Sequence, residues 1–175
     1  MISFSEDLID QRDFAEIETF YTKDQLTSIF LQVLDYLANH QDIDIPSDMA
    51  EYLFGKNCDI EIYVTEPVEA QAINFEARGK DYATNILSYP SELPTSVIDI
   101  LPSFPLGELV ICHAVVAKQA DEQGKTLKNH LTHLLVHGLL HLLGFDHELG
   151  QAEQDDMEGI EIGVLALLGI DNPYE

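Results

Sequence analysis

Basic residues and cysteines are scarce in this chain of 175 residues. Its 8 lysines and arginines stand against 32 aspartates and glutamates, which gives a formal net charge of −24. Such a charge repels polyanions, so a general affinity for nucleic acid or acidic membranes is excluded and any RNA contact has to be local. Cys58 and Cys112 are the only cysteines, and their separation fits no CxxC motif. We therefore expect two buried thiols rather than a disulfide framework or a thiolate metal site.

A basic start and a long apolar run are also missing. The opening MISFSEDLIDQRDF carries acids where a signal peptide has basic residues, which favours a cytoplasmic protein. The richest apolar stretch, residues 131–145, is interrupted by three histidines, so no run reaches the roughly 18 residues of a membrane span. We therefore predict no contact with a membrane. The length suits one core, so we predict a single domain over residues 1–175.

The hydrophobic pattern alternates along the chain between strand-like and helix-like spacing. Strands are predicted over residues 2–4, 59–64, 84–89 and 108–112, and helices over residues 22–37, 68–77, 126–143 and 148–168. Residues 91–106 contain three prolines and are predicted to form a long loop. This order predicts an α+β (mixed α/β) fold, with a small mixed β-sheet of about four strands packed with about five helices.

Five of the seven histidines fall between positions 130 and 147. On a helix, His137 and His141 lie on one side about 6 Å apart along the axis, a spacing suited to chelation. Gly144 suits a left-handed residue that ends this helix, so the chain can turn back and bring His147 to the same metal. Three imidazoles with a vacant fourth position are typical of catalytic zinc. We predict one Zn²⁺ per chain at the end of this helix, held by His137, His141 and His147, although another divalent metal is possible.

Other roles for these histidines stay open. A lone histidine usually packs or caps a helix, whereas three at the spacing HxxxHxxGxxH favour metal binding. His130 and His133 share the stripe, where they either support the ligands or form its exposed end. The spacing is also that of the zinc endopeptidases called metzincins, but those carry Glu as the general base where this chain has Gly138. Loss of a general base costs roughly 100-fold to 10,000-fold in rate, so a zinc-dependent peptidase is the alternative.

Two stretches of the chain resemble a known family. The segment HLLVHGLLHLLGFDH, residues 133–147, closely resembles the signature of the YbeY family of bacterial rRNA maturation endoribonucleases. The segment NFEARGKDYATNILSYP, residues 74–90, resembles that family's upstream block, and GELVIC, residues 107–112, resembles its next strand. The matching upstream positions are Arg78, Gly79, Lys80, Asp81, Thr84, Leu87, Ser88 and Pro90. The resemblance covers roughly residues 58–165, with Asn85 and Glu108 at positions where Asp is common in the family.

This resemblance implies a single-strand-specific, metal-dependent endoribonuclease that acts in late-stage small-subunit (16S) rRNA processing and ribosome quality control. It implies single-stranded rRNA, the small ribosomal subunit and assembly factors as partners, and no DNA. Arg78 becomes the catalytic candidate, because a guanidinium stays charged and can bind two phosphate oxygens at once. A further alternative is a non-catalytic ribosome-assembly factor with a structural metal.

The few basic residues are unevenly distributed. Five of the eight fall within residues 78–128, and none follows Lys128. These five are Arg78, Lys80, Lys118, Lys125 and Lys128. We predict that they gather along the cleft above the metal as a narrow cationic track for RNA, the alternative being that they are scattered over the surface.

Overall fold

The fold is built on a small mixed sheet, seen in a computed structural model that describes residues 1–40, 42–45, 53, 57–148 and 150–175. The strands of this part of the chain are β1 (Ile2–Phe4), β2 (Cys58–Thr65), β3 (Ile86–Pro90) and β4 (Phe104–Cys112). Their order in the sheet is β1-β2-β4-β3. Strands β1, β2 and β4 run parallel, and β3 runs antiparallel to β4 at one edge. The predicted α+β fold with a mixed sheet is confirmed.

Helices surround this sheet. Those bounded within the described residues are α1 (Glu6–Ile9), α2 (Phe14–Phe20), α3 (Lys23–Asn39), α4 (Pro67–Arg78), α5 (Thr95–Ile98), α6 (His113–Glu122), α7 (Leu127–Leu142) and α8 (Gln151–Leu167). Helices α3, α4, α7 and α8 lie where the sequence predicts them. Within the described ranges, every helix is too short or too polar to span a lipid bilayer.

Capping residues explain where two of the predicted helices, α3 and α7, begin. The Thr22 hydroxyl accepts a hydrogen bond from the Gln25 amide at 3.3 Å, and the Thr126 hydroxyl accepts one from the Asn129 amide at 3.1 Å. These bonds satisfy amides that a helix start leaves without partners. Helix α6 lacks this signal, since Cys112 at its N-cap makes no side-chain bond and follows directly from β4. Helix α6 was not predicted from the sequence.

Strand β4 begins at Phe104, four residues before its predicted start. The register between β2 and β4 shifts between Asp59 and Ile60, opposite Pro105 and Gly107. A bulge of this kind accommodates both proline and glycine within a strand. Gly107 has a φ of +147°, and an added Cβ would lie 2.3 Å from the Tyr89 carbonyl oxygen. Residues that indicate a loop in sequence therefore form part of the strand.

Helix α7 lies at the centre of the molecule. Ten of its 16 residues are buried. It packs on β3 and β4, and α3, α6 and α8 contact it from other sides. At Gly138 the helix comes so close to the sheet that an added Cβ would lie 2.8 Å from Ile86 Cδ1 and 2.9 Å from Leu109 Cδ2. Two of the three predicted metal ligands, His137 and His141, thus project from a helix whose backbone the core holds in place.

Candidate metal centre

The three predicted ligands come together in the structure. His137, His141 and His147 each offer a nitrogen within 4.8 Å of the others. The ring centroids lie 4.7 Å apart for His137 and His141, 4.9 Å for His141 and His147, and 5.2 Å for His137 and His147. The Nε2 atoms of His137 and His141 face each other at 3.2 Å. The cluster could therefore hold a metal ion at the end of α7.

The turn after α7 brings His147 to this cluster. Gly144 has a φ of +91°, a left-handed conformation that glycine adopts without steric cost. Its amide donates to the His141 carbonyl at 3.0 Å, and the Phe145 amide donates to the Leu140 carbonyl at 3.0 Å. This pair of bonds is the Schellman motif, which ends a helix and reverses the chain. Gly144 thus ends α7 and turns the chain back, as predicted.

The electrostatic state of the cluster suits a cation. Burial, followed by the neighbouring His137 and His147, lowers the pKa of His141 to about 4. At neutral pH this ring is therefore uncharged and keeps a lone pair for a metal. Among the described residues, the buried Nδ1 of His147 has no hydrogen-bond partner. A set of three imidazoles of this kind fits zinc or a similar divalent ion.

A buried carboxylate lies behind the cluster, and the sequence reasoning missed it. Glu161 of α8 accepts hydrogen bonds from His137 Nδ1 at 2.7 Å and from His133 Nε2 at 3.0 Å. The hydroxyl of Tyr174 donates to the same carboxylate. Burial raises the pKa of Glu161, but the bonds from His133 and His137 outweigh it and lower the pKa to about 2. Glu161 is therefore an ionised carboxylate that contacts one of the predicted ligands.

The structure also places His130 and His133. Among the described residues, His133 lies outside the ligand cluster, and its largely buried side chain donates to Glu161, so it is not an exposed end of the stripe. The Nε2 atom of His130 lies 3.2 Å from the Gln119 side-chain oxygen, and burial lowers the pKa of this ring. A sequence signal for Glu161 did exist, because an acid stands there within the apolar stripe of α8. The buried members of that stripe are Met157, Ile160, Val164 and Leu165.

A cavity of about 750 Å³ opens over the histidines. Its walls come from the end of α4, from β3, from α7, from the turn after α7 and from Tyr174. Arg78 lies at this wall, where its guanidinium pairs with the Glu148 carboxylate at 3.1 Å. Both side chains are partly exposed, at 42% and 62%. Arg78, the predicted catalytic candidate, thus lines the same cavity as the three histidines and pairs with Glu148, which directly follows His147.

The predicted cationic track is wrong. Of the five basic residues, all of which the structure describes, only Arg78 lines the cavity. The Lys125 ammonium donates to the Pro173 carbonyl at 2.9 Å, and Lys118 pairs with Glu122 at 3.6 Å. Lys128 lines a separate hollow beside α2 and α3. Among the described residues, the positive charge of a Lys or Arg side chain at the candidate site is therefore that of a single guanidinium.

The two positions that depart from the family pattern have different surroundings. The Asn85 side-chain oxygen accepts from the Ile86 amide at 2.7 Å, and its amide group donates to the Gln119 oxygen at 2.9 Å. An aspartate could make the first bond but not the second. Glu108 lies opposite Glu61 in the sheet, and burial followed by that neighbour raises its pKa. Asn85 therefore helps to fix the wall of the cavity, whereas Glu108 does not line it.

Comparisons with known proteins agree with the resemblance. A family model described as "Endoribonuclease YbeY" matches residues 11–169. A protein of that name from Psychrobacter cryohalolentis is 63% identical over 115 residues, which are 66% of this chain and 74% of that protein. Its namesake from Psychrobacter arcticus is 64% identical over 115 residues, 66% of this chain and 56% of that protein. The Acinetobacter baumannii protein is 48% identical over 122 residues, 70% of this chain and 77% of its own length. The chain belongs to the YbeY family.

Proposed function

We propose that this chain is a zinc-dependent endoribonuclease that cleaves single-stranded ribosomal RNA. The observation that carries the proposal is the cluster of His137, His141 and His147 beneath a cavity that Arg78 also lines. The family's description and the names of the relatives support the reaction class. Late-stage small-subunit (16S) rRNA processing and ribosome quality control are the corresponding cellular role, with a cytoplasmic location.

The residues of the cavity suit cleavage of a phosphodiester. When bound, a divalent ion supplies Lewis acidity and an activated water near neutral pH. His137, His141 and His147 would hold it, and a set of three protein ligands leaves a fourth coordination position for water or substrate. Arg78 would exchange Glu148 for the phosphate and stabilise the negative charge that grows on its oxygens in the transition state. Catalysis at this site then depends on the positions of the three histidines and of Arg78.

The peptidase alternative lacks an essential group. In the metzincin pattern a glutamate directly follows the first histidine, and this chain has Gly138 there. That position faces β3 and β4, and even a Cβ atom would come within 3 Å of Ile86 and Leu109. A glutamate at 138 would therefore clash with the sheet. The geometry gives no support to a general base at this position.

The charge of the molecule bears on its partners. A protein with a net charge of −24 and one guanidinium at its candidate site gains little from long-range attraction to RNA. The affinity for rRNA would then come mainly from the small ribosomal subunit and from assembly factors. We expect weak binding to isolated RNA, with cleavage that depends on local placement of the strand.

Metal analysis combined with two substrates tests the proposal. Purified protein is expected to carry about one zinc-like ion per chain, and metal-loaded protein to cleave single-stranded RNA but not unfolded protein. The His141→Ala variant, matched for concentration, should lose both metal and RNA cleavage. Cleavage of the protein substrate would favour the peptidase. One bound ion with no turnover on RNA, alone or within a ribosomal particle, would favour the assembly factor with a structural metal.

A further inference from the structure

Glu161 is an acid in a place where acids are costly. The residue is buried, and its side chain is only 1% exposed. Burial of an ionised carboxylate costs several kcal/mol unless hydrogen bonds satisfy it. Here three donors do so: His137 Nδ1, His133 Nε2 and the Tyr174 hydroxyl. The packing of α8 against α7 thus places a fully satisfied negative charge directly behind a proposed metal ligand.

The bond from His137 fixes the chemical state of that ring. A neutral imidazole carries one N–H, so a ring that donates through Nδ1 keeps the lone pair on Nε2. The Nε2 atom of His137 is the one that faces His141 Nε2 at 3.2 Å. The carboxylate therefore selects the tautomer of His137 that has its lone pair on Nε2, the nitrogen facing the cluster. It also holds the ring in that orientation.

Tyr174 joins this network from the segment that follows α8. Its ring meets His133 edge-on with centroids 5.5 Å apart, while its hydroxyl donates to Glu161. The neighbouring Pro173 carbonyl accepts from the Lys125 ammonium at 2.9 Å, which holds the segment beside the loop before α7. A segment that lies far from the histidines in sequence thus supplies the third donor to the carboxylate.

We propose that Glu161 is a positioning residue that sets the metal affinity of the site, and that Tyr174 holds its carboxylate in place. The proposal rests on the metal dependence proposed above. Glu161 acts through His137 and does not itself bind the ion. The segment containing Tyr174 thus becomes part of the metal site. Loss of its contact with Glu161 lowers the metal affinity even though every ligand is intact.

The test measures zinc affinity by competition with a chelator in full-length variants. Glu161→Gln keeps the size and shape of the side chain but replaces one carboxylate oxygen with an NH₂ group. That group cannot accept the hydrogen bond that a histidine N–H donates, so zinc should bind about 10-fold to 100-fold more weakly. Tyr174→Phe keeps the ring and removes the hydroxyl, so a smaller loss in the same direction is expected. Glu158→Gln is the matched control on the same helix, since its carboxylate bonds with Gln154 at 2.6 Å instead of a histidine. This variant should bind zinc like the wild type.

A spectroscopic readout separates positioning from general damage. In the metal-free protein, two-bond ¹H–¹⁵N correlations report which nitrogen of His137 carries the proton. Wild type should show the Nδ1–H form, and Glu161→Gln a mixture of tautomers. If Glu161→Gln fails to fold, Tyr174→Phe alone decides: unchanged zinc affinity there overturns the proposal, as does unchanged affinity in both folded variants. Wild type that binds no zinc would instead refute the proposed function, so the two failures are distinguishable.

Discussion

Gly138 has no side chain, which allows α7 to pack close to the sheet beside the site. It lies between His137 and His141 on α7, on the side of the helix that meets Ile86 and Leu109. Both of these neighbours are buried in the core, so they have little room to move aside. The close approach brings the histidine-bearing face of α7 beside β3, and β3 forms a wall of the cavity.

Substitution of this glycine is expected to destabilise the protein. Gly138→Ala should lose about 1–3 kcal/mol through overpacking and regain up to about 1 kcal/mol through better helix propensity. Urea unfolding of the metal-free protein measures the difference. Gly159→Ala is the control, because Gly159 lies in α8 with nothing within 4 Å of an added Cβ and should gain up to about 1 kcal/mol. Equal stabilisation by both substitutions would show that α7 has room at position 138.

Arg78 is the other residue whose role depends on its side-chain chemistry. Its contact with Glu148 is a partly exposed ion pair, and such pairs contribute only about 0–1 kcal/mol to stability. Arg78→Lys should therefore leave the fold and the metal affinity unchanged. Lysine keeps the charge but not the planar pair of donors. If Arg78 stabilises the transition state, single-turnover cleavage of single-stranded RNA should fall about tenfold or more, equivalent to about 1.4 kcal/mol.

The control for this variant is a basic residue away from the cavity. Lys118 pairs with Glu122 on the surface of α6, so Lys118→Ala removes a positive charge and should leave cleavage close to that of the wild type. A different pattern would assign Arg78 another role. Near-normal cleavage by Arg78→Lys, with a deficit that grows as salt rises, would mean that Arg78 only attracts RNA by its charge.

At the scale of elements, the end of α7 connects helix geometry to metal binding. Gly144 ends α7 and Gly124 ends α6, and both have positive φ, at +91° and +64°. Alanine at either position should lose roughly 1 kcal/mol of stability, the cost of a left-handed side-chain residue. Relaxation of the turn at 144 would also displace His147. Gly144→Ala is therefore expected to bind zinc about tenfold more weakly, which corresponds to about 1.4 kcal/mol.

Chelator competition on the two variants checks this expectation. Gly124→Ala carries the same backbone penalty in the same motif, in which the Gly124 amide donates to Asp121 and the Lys125 amide to Ala120. Its zinc affinity should match that of the wild type. If both variants lose stability but neither loses zinc affinity, His147 reaches the metal without help from the turn at Gly144.

The same elements show which features a sequence can predict. Helix α7 and the turn at Gly144 were predictable because their signals are local: a capping Thr126, apolar spacing and a glycine at the helix end. Strand β4 was predicted only in part, since the bulge that admits Pro105 and Gly107 depends on pairing with β2. Helix α6 was missed; it follows β4 directly, and Cys112 at its N-cap makes no side-chain bond. Helix α8 also begins without a capping bond, so its prediction depended on apolar spacing. Apolar spacing and local start and stop signals thus identified most of the longer helices.

Features that depend on distant contacts were harder to predict. The position of Glu161 within an apolar stripe is visible in the sequence, but its partners His137 and His133 are 24 and 28 residues away. The supposed cationic track failed for the same reason, because basic residues close in sequence lie on different surfaces of the fold. The ligand cluster was easier to predict, since the three histidines lie within one helix and the turn that follows it.

At the scale of the whole molecule, the charge of −24 dominates. Much of the acidic surface lies away from basic partners, so the folded state brings like charges closer together than the unfolded chain does. The described ion pairs between basic side chains and carboxylates, Arg78 with Glu148 and Lys118 with Glu122, are exposed and offset little of this repulsion. Self-repulsion is therefore a property of the fold as a whole rather than of one site.

Added salt should stabilise this protein. Raising NaCl from about 0.05 M to about 0.5 M shortens the range of charge repulsion from above 10 Å to a few ångströms. A gain of roughly 1 kcal/mol would raise Tm by about 2–4 °C in a chain of this size. The measurement is thermal unfolding with a chelator present, so that metal binding adds nothing to the shift. KCl at equal ionic strength should give the same rise, because screening depends on ionic strength rather than on the identity of the cation. A Tm that stays constant or falls with either salt would show that charge repulsion does not limit the stability of this fold.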